Sequence, residues 1–374
     1  MRSLKSYFRG VSEPRLPSFI HFPLVELLFS TLVSVLCGAE DFEEVHDYSI
    51  EYLDWYRKYL PFEKGIASIP TYRRVFRELD TASFLHCFTC FMADFIPKAD
   101  EGLGHLAIDG KALRGSKTRL GKGQKNGALH LVSVYASELG LSLAQQRVEG
   151  KSNEITAIPL LLETLALKGA IITIDAIGTQ KEIANLIIEG EGDYLLALKG
   201  NKGELHDDVV TAFAEETTAA LPAHSATNIG HGRIETRQCS VITDVAWLHQ
   251  RHPDWAHIKA IIALQATREN KKSGEIFHET RYFIASFVTE AEKYAKLIRA
   301  HWAIEAFHWT LDMSFKEDKS RIRKDNAPEN MAIIRKLAHN ILKAEPTKKS
   351  VKRKFILAAI NQTYREKLIN IHNL

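Results

Sequence analysis

Between residues 105 and 199 the apolar pattern changes period several times, and the order of those changes restricts the folds open to the chain. "HLAID" is a short strand. "ALHLVSVYAS" and "LSLAQQRVEG" are two strand-like runs separated by Glu138-Leu139-Gly140, which reads as a hairpin. "SNEITAIPLLLETLAL" opens with Ser152-Asn153-Glu154, a helix start, and then keeps helical spacing. "GAIITID" is rich in β-branched residues and nearly apolar, as a strand covered on both faces must be. "TQKEIANLIIEG" is a helix closed by Gly190, and "DYLLALK" is another strand. The order β-β-β-α-β-α-β places a hairpin beside helix-linked parallel strands, in a mixed sheet with helices packed on it.

That order is the order of a ribonuclease H-like core, so the expected fold is α/β with such a sheet at its centre. Residues 1–97 read as a helical N-terminal domain. The apolar run Phe19–Cys37 resembles an export signal. However, it starts late, contains Glu26 and Pro23, and repeats Leu24, Leu27, Leu28, Thr31, Leu32 and Val35 at helical spacing, which describes a buried helix. Two further helical stretches follow, "DFEEVHDYSIEYLDWYRKYL" and "TYRRVFRELDTASFLHCFTCFMADF". Pro97 and "KADEGLG" mark a boundary. Residues 98–199 are then the first part of the core. Residues 200–288 are a mostly β insertion, with strands expected in "HGRIETRQCSVI", "HIKAIIALQATREN" and "EIFHETRYFIASF". Residues 289–345 supply the final core helices, one long helix over Glu290–Phe315 and another over Pro328–Lys343, and 346–374 form a basic tail.

Net charge is only +3, but the bases are clustered. Lys111, Arg114, Lys117, Arg119, Lys122 and Lys125 run without an acid among them. Lys316, Lys319, Arg321, Arg323 and Lys324 form a second cluster, and Lys348, Lys349, Lys352, Arg353 and Lys354 a third. Each alone reads as a solvated face; together they favour a polyanion partner. Four cysteines in 374 residues make no disulfide framework, and Cys87-x-x-Cys90 lacks the second ligand pair of a zinc site. A reducing compartment follows, and no membrane span is expected.

Asp109 ends the first core strand and Asp175 the fourth. Side chains converge on ligands at such strand ends in an open sheet. Two carboxylates there repel each other unless a cation lies between them, and oxygen-only ligands suit Mg²⁺ or Mn²⁺. Loop capping is the alternative for either acid, and for Asp175 an N-cap role at the next helix. A third acid is available in "RAHWAIEAFHWTLDMSFKED". Ile304, Phe307, Leu311 and Phe315 form its core stripe, and Glu305 lies beside that stripe, where it should be partly buried. His301, Glu305, His308 and Asp312 share one side, which also reads as a polar face with intrahelical pairs; Trp302 and Trp309 read as packing residues.

With these residues the chain resembles insertion-sequence DDE transposases, in the group of the H-repeat-associated proteins of Rhs elements. The resemblance rests on "GIASIPTYRRVFRELD", "HLAIDGKALRGS", "LVSVYAS", "TIDAIGTQKEIA", "GDYLLALKGNKGEL", "HGRIETRQ" and "IRAHWAIEAFHWTLDMSFKEDKSRIRKDNAPENMAIIRKLAHNIL", which cover nearly the whole length in order. It implies a ribonuclease H-like fold, two divalent ions (Mg²⁺ or Mn²⁺), and Asp109, Asp175 and Glu305 as the catalytic and metal-binding triad. Related transposases carry a tyrosine, an arginine and a lysine around the catalytic glutamate; those places hold Ile298, His301 and Asp312 here, and the H-repeat group has its own pattern instead. "GIASIPTYRRVF" also departs from the group's usual GIPSHDTFRRVF at Ala67, Ile69 and Pro70.

The implied reaction is metal-dependent DNA strand cleavage by water, then strand transfer by the freed 3′-hydroxyl, with no covalent enzyme intermediate. Lys111, Arg114 and Lys117 are the expected phosphate contacts beside the cut, with Lys199 and Lys202 after the last core strand. His231, Arg233, Glu235 and Arg237 alternate along one strand face, either as a DNA-facing row or as a salt-bridged surface. His301, Arg321 and Arg323 complete the DNA-binding set. The expected partner is double-stranded DNA at element ends and target, bound by a homodimer or higher homo-oligomer in the cytoplasm at the nucleoid. A nuclease of the same fold without strand transfer, or an inactive DNA-binding remnant, are the competing readings.

Overall fold

The computed structural model describes residues 4–95, 103–120, 124–148, 154–200, 203–215, 221–230, 232–255 and 257–370. The N-terminal region is helical: α1 (Leu4–Arg9), α2 (Leu24–Leu36), α3 (Phe42–Glu51), α4 (Leu53–Tyr56), α5 (Ile69–Glu78) and α6 (Thr81–Phe95). The apolar run is α2, with Pro23 at its N-cap and nearly every residue buried. Its one acid, Glu26, is offset by the backbone N–H of Phe62, 2.8 Å from its Oε1. Among the described residues no helix is long and apolar enough to cross a membrane.

The core follows as β1 (His105–Leu113), a small hairpin of β2 (Thr118–Leu120) and β3 (Gln124–Asn126), then β4 (Leu129–Ala136), β5 (Leu141–Arg147), α7 (Glu154–Leu162), β6 (Ile171–Ile174), α8 (Lys181–Glu189) and β7 (Asp193–Leu198). β1 pairs antiparallel with β4 and parallel with β6, and β6 pairs parallel with β7. The strand order β5-β4-β1-β6-β7 is that of a ribonuclease H-like sheet. The apolar runs bury as their composition requires: Leu106, Ala107, Ile108, Ile172 and Leu196 are all fully enclosed.

The segment from 204 to 285 holds α9 (Glu204–Glu215), β8 (Ala223–Gly230), β9 (Arg233–Ile242), α10 (Ala246–Arg251), β10 (Ala260–Asn270) and β11 (Ile276–Ala285). It does not form a separate layer. β11 pairs antiparallel with β7, and the meander β11-β10-β9-β8 lengthens the core sheet to nine strands. Four strands replace the three expected, because "AHSATNIG" is polar, exposed and without period-2 contrast, yet pairs along β9 from Arg233 to Ser240.

The single helix expected over Glu290–Phe315 is two, α11 (Ala291–His301) and α12 (Ala303–Met313). They part at Trp302, whose N–H reaches back three residues to Arg299 at 3.2 Å. α13 (Ala327–Ala344) is buried along almost its whole length and joins the two halves of the molecule. Asn330 Nδ2 donates to the carbonyls of Phe76 and Leu79, capping α5, each at 3.0 Å. Asn340 clamps the backbone of Ser142 on β5 through both its amide groups. The last stretch is two helices, α14 (Val351–Ile360) and α15 (Gln362–Asn370), whose Phe355, Ala358, Leu368 and Ile369 are buried. Lys354, read from sequence as part of a solvated basic run, is itself buried and donates to the carbonyls of Leu342 and Glu345.

Candidate active site

The strand register brings two acids together. Ile108 on β1 faces Ile174 on β6 in a parallel pair, so Asp109 and Asp175 are the next residues on neighbouring strands and point to the same face of the sheet. Neighbouring strands lie about 5 Å apart. α11 and α12 pack across this end of the sheet, and Glu305 of α12 meets both aspartates in the wall of one pocket of about 410 Å³. The stripe Ile304, Phe307, Leu311 and Phe315 is buried and fixes the rotation of α12, which leaves Glu305 facing the opening. Glu305 is therefore exposed rather than partly buried.

Asp109 carries the electrostatic signature of the site. Burial pushes its carboxyl up to about 7, and the nearby carboxylates of Glu154, Asp175 and Glu305 push in the same direction, against a backbone hydrogen bond at Gly110. His308 Nδ1 lies 3.6 Å from Asp109 Oδ2, too long for a hydrogen bond. Burial drives His308 down to about 3, with the Lys336 and Lys111 charges adding to the effect, so the ring is neutral at physiological pH and supplies no countercharge.

Asp175 has the structural duty of a loop cap, not that of an N-cap on α8. Its Oδ1 accepts from the N–H groups of Ile177 (3.0 Å) and Gly178 (3.1 Å), closing a tight turn, whereas Gln180 occupies the N-cap of α8. Gly178 is required there, since a Cβ would lie 2.3 Å from Ile174 Cγ2. The turn pins one oxygen of Asp175 and sets the side chain towards the pocket that it lines.

Glu154 is an acid that sequence reasoning missed. The sequence marks it only as part of a helix start, yet as the first residue of α7 it folds over β1: a Cβ on Gly110 would lie 2.0 Å from Glu154 Oε1. His130 Nε2 holds that same oxygen at 3.0 Å. The usable signal was the glycine directly after Asp109, which marks a close approach to β1.

Two of the expected DNA contacts are internal. Lys111 points into the protein, with Nζ 2.6 Å from Asp312, 2.9 Å from Glu317 and 3.4 Å from Asp318. It is enclosed by acids and has no free charge for a phosphate. His301 sits in the pocket wall, but its Nδ1 is 2.9 Å from Thr173 Oγ1, which also lies 2.8 Å from His105 Nε2. Burial lowers the His301 pKa, which disfavours its cationic form there.

The remaining bases lie outward. Arg114 and Lys117 are exposed beyond β1, and Lys199 lines the acidic pocket. Arg321 and Arg323 are exposed on the loop after α12. Lys202 and His231 lie outside the described residues. On β9 the alternating row is salt-bridged: Glu235 is buried between Arg237 and Arg268 Nε, the latter at 2.9 Å. Arg233 and Arg237 nevertheless line a groove of about 700 Å³ beside the acidic pocket.

The donor chemistry fits a hard cation: the pocket presents carboxylate oxygens, and burial together with three neighbouring carboxylates disfavours an uncompensated charge on Asp109. Among the described residues no three His, Cys, Asp or Glu side chains stand at the spacing of a shared ion. All four cysteines are free, on elements away from these acids.

A ribonuclease H-like sheet with acids at adjacent strand ends and a third on the crossing helix defines the class, and the chain belongs to the DDE transposase family. The transposase DDE domain matches residues 100–341, and the domain associated with it matches 5–92. YncI of Escherichia coli O157:H7, provisionally named a transposase, is 38% identical, with 99% of this chain and 95% of that protein covered. YhhI of Escherichia coli strain K12, provisionally named an H repeat-associated transposase, is 35% identical over 97% of each chain. A cryo-EM structure of the piggyBac transposase synaptic complex with hairpin DNA aligns with 99% of this chain and 81% of its own, at 12% identity and a TM-score of 0.44.

Proposed function

We propose that Asp109, Asp175 and Glu305 are the catalytic acids with which this transposase cuts DNA at the ends of its element and joins those ends to a target. The observation that carries the reading is the β1–β6 register, which sets Asp109 and Asp175 side by side under Glu305. These three would hold two Mg²⁺ or Mn²⁺ ions, with small side-chain movements to draw them onto common centres. Such an ion pair, when bound, lowers the pKa of an attacking water and stabilises the leaving oxygen.

The chain's own groups do the rest. Asp175, with one oxygen fixed by its turn, would hold an ion through the second. Glu305 stands at the pocket mouth, where DNA enters. Neutral His308 and the closed Thr173 chain with His105 and His301 form a stiff, uncharged wall behind Asp109. Arg114, Lys117, Lys199 and Lys202 contact phosphates near the cut, and Arg233, Arg237, Arg321 and Arg323 contact them further out. Domain limits at 1–97, 98–199, 200–288, 289–345 and 346–374, action as a homodimer or higher homo-oligomer on double-stranded DNA, and work in the cytoplasm at the nucleoid belong to the same proposal.

The test is a strand-transfer assay. Labelled DNA carrying the sequences that flank the gene is incubated with protein, Mg²⁺ and a supercoiled target plasmid. Covalent joining of labelled ends to the plasmid supports the reading; cleavage without joining makes the protein a nuclease.

A further inference from the structure

A second cavity, of about 700 Å³, lies between α5 and the loop 314–326, and none of its lining residues belongs to the acidic pocket. Its walls are dominated by bases. Arg73 and Arg77 come from α5 and are spoken for: Arg73 pairs with Glu43, and Arg77 Nε lies 2.8 Å from Asp325. Lys319, Arg321 and Lys324 come from the loop, are exposed, and make no side-chain hydrogen bond or ion pair among the described residues. Glu40, Asp41 and Glu43 lie on the other lip, where Asp41 caps α3 by accepting from Glu44 and Glu43 holds Arg73.

The loop sorts its charges by sign. In "KEDKSRIRKD" the acids Glu317 and Asp318 turn inward to Lys111, while Lys319, Arg321 and Lys324 turn outward. Ile322, between Arg321 and Arg323, packs against the core. The loop is also latched to the end of β1 by backbone contacts. Arg323 Nε donates to the Gly115 carbonyl at 2.8 Å, and the Arg114 N–H donates to Asp318 Oδ1 at 3.1 Å. A Cβ on Gly115 would fall 2.2 Å from the Ser320 carbonyl oxygen, so the approach demands glycine. A loop of this composition left to itself would be a solvated, mobile run. Here β1 and the turn after it hold the loop, so the backbone that carries three exposed cations is fixed in one lip of a groove.

From this we propose that the groove between α5 and the loop is a second binding site for the DNA backbone, gripping a run of phosphates away from the cut. Lys111 is a positioning residue for it: two places after Asp109, it ties the basic lip to the strand that carries the catalytic acid. The proposal rests on the transposase reading, since it supplies the duplex whose remote part is gripped. Preorganised cations give affinity that is independent of sequence and strongly dependent on salt.

The test measures binding of the full chain to fluorescent duplex DNA in EDTA across a salt series. The triple variant Lys319→Ala, Arg321→Ala, Lys324→Ala should bind more weakly to every sequence. Its slope of log affinity against log salt should shrink by about 0.9 for each phosphate left without its cation, up to about 2.7. A triple of equal charge from exposed positions outside the three basic clusters, Lys64→Ala, Lys271→Ala, Lys272→Ala, is the control and should keep the wild-type slope. Gly115→Ala removes no charge but displaces Ser320, and should weaken binding; circular dichroism melting reports whether each variant folds. A groove triple that folds and keeps the wild-type slope, or a control triple that loses as much, overturns the proposal. Wild-type cleavage with Mg²⁺ is scored in parallel. If it occurs and the groove triple binds normally, the groove reading alone fails; if it does not occur, the transposase reading of the acidic pocket fails.

Discussion

Asp109→Asn keeps the shape of the side chain and removes one charge, and its effect on stability can be worked out before any DNA is added. The folded protein holds Asp109 at about 7 against an ordinary value of 3.8, first by burial and then by neighbouring carboxylates. That difference corresponds to about 4 kcal/mol of bias against the charged form. The side chain is 23% exposed, so water and relaxation reduce this, and about 2 kcal/mol is the expected penalty at pH 8. The sign follows from linkage: a carboxyl with a raised folded pKa favours the fold while protonated, and wild-type stability is lost as pH rises from 3.8 through about 7. The asparagine variant has no such loss. In EDTA at pH 8 it should be the more stable protein, with Tm higher by about 2 to 3 °C for a chain of this length. The gain should vanish near pH 4. With Mg²⁺ the order reverses, because only the wild type gains RT ln(1 + [Mg²⁺]/Kd). Differential scanning calorimetry across pH, with and without the ion, reads all of this. A variant no more stable than wild type at pH 8 in EDTA, or a gain that persists at pH 4, refutes the electrostatic account of the pocket.

Gly110→Ala pushes aside the Glu154 carboxylate, the far end of a flexible side chain, and should cost about 0.5 to 1.5 kcal/mol in urea unfolding as its contact with His130 is lost. Lys111→Met leaves Asp312, Glu317 and Asp318 without their shared cation and should cost about 3 to 5 kcal/mol by the same assay. Lys336 donates to Ser133 Oγ and Gln145 Oε1 inside the core, and burial brings it down to about 8 from 10.5. The unfolded chain therefore binds the extra proton between those values, so wild-type stability should rise with pH from about 8 until the buried tyrosines oppose it near 10. Lys336→Met should flatten that rise, and a pH series of chemical denaturation curves would show it.

The core was legible wherever burial is two-sided. "GAIITID" and "DYLLALK" read as strands, and Asp109 at the end of "HLAID" and Asp175 at the end of "GAIITID" followed from the order of elements. Legibility failed where tertiary contacts override local pattern. β8 has no apolar face and exists through pairing with β9. The final two helices were hidden by lysines and arginines, of which Arg365 stacks on Tyr52 at 3.8 Å instead of facing solvent. Lys111 read as a free base because its acids are some 200 residues further along, and a linear scan sees only the charges nearby. Glu154 looked like an ordinary first-turn acid for the same reason.

On the proposed reading the three acids of the pocket perform metal-dependent DNA chemistry and take little part in gripping DNA. The direct measurement is cleavage of duplex DNA carrying the flanking element ends, for wild type, Asp109→Asn, Asp175→Asn and Glu305→Gln, in Mg²⁺ and in EDTA, with DNA affinity measured on the same samples. Expected are cleavage by wild type in Mg²⁺ only, none by any variant, and affinities equal to or slightly above wild type, because each substitution removes a charge that repels phosphate. Wild-type levels of cleavage from any one of the three variants would contradict it.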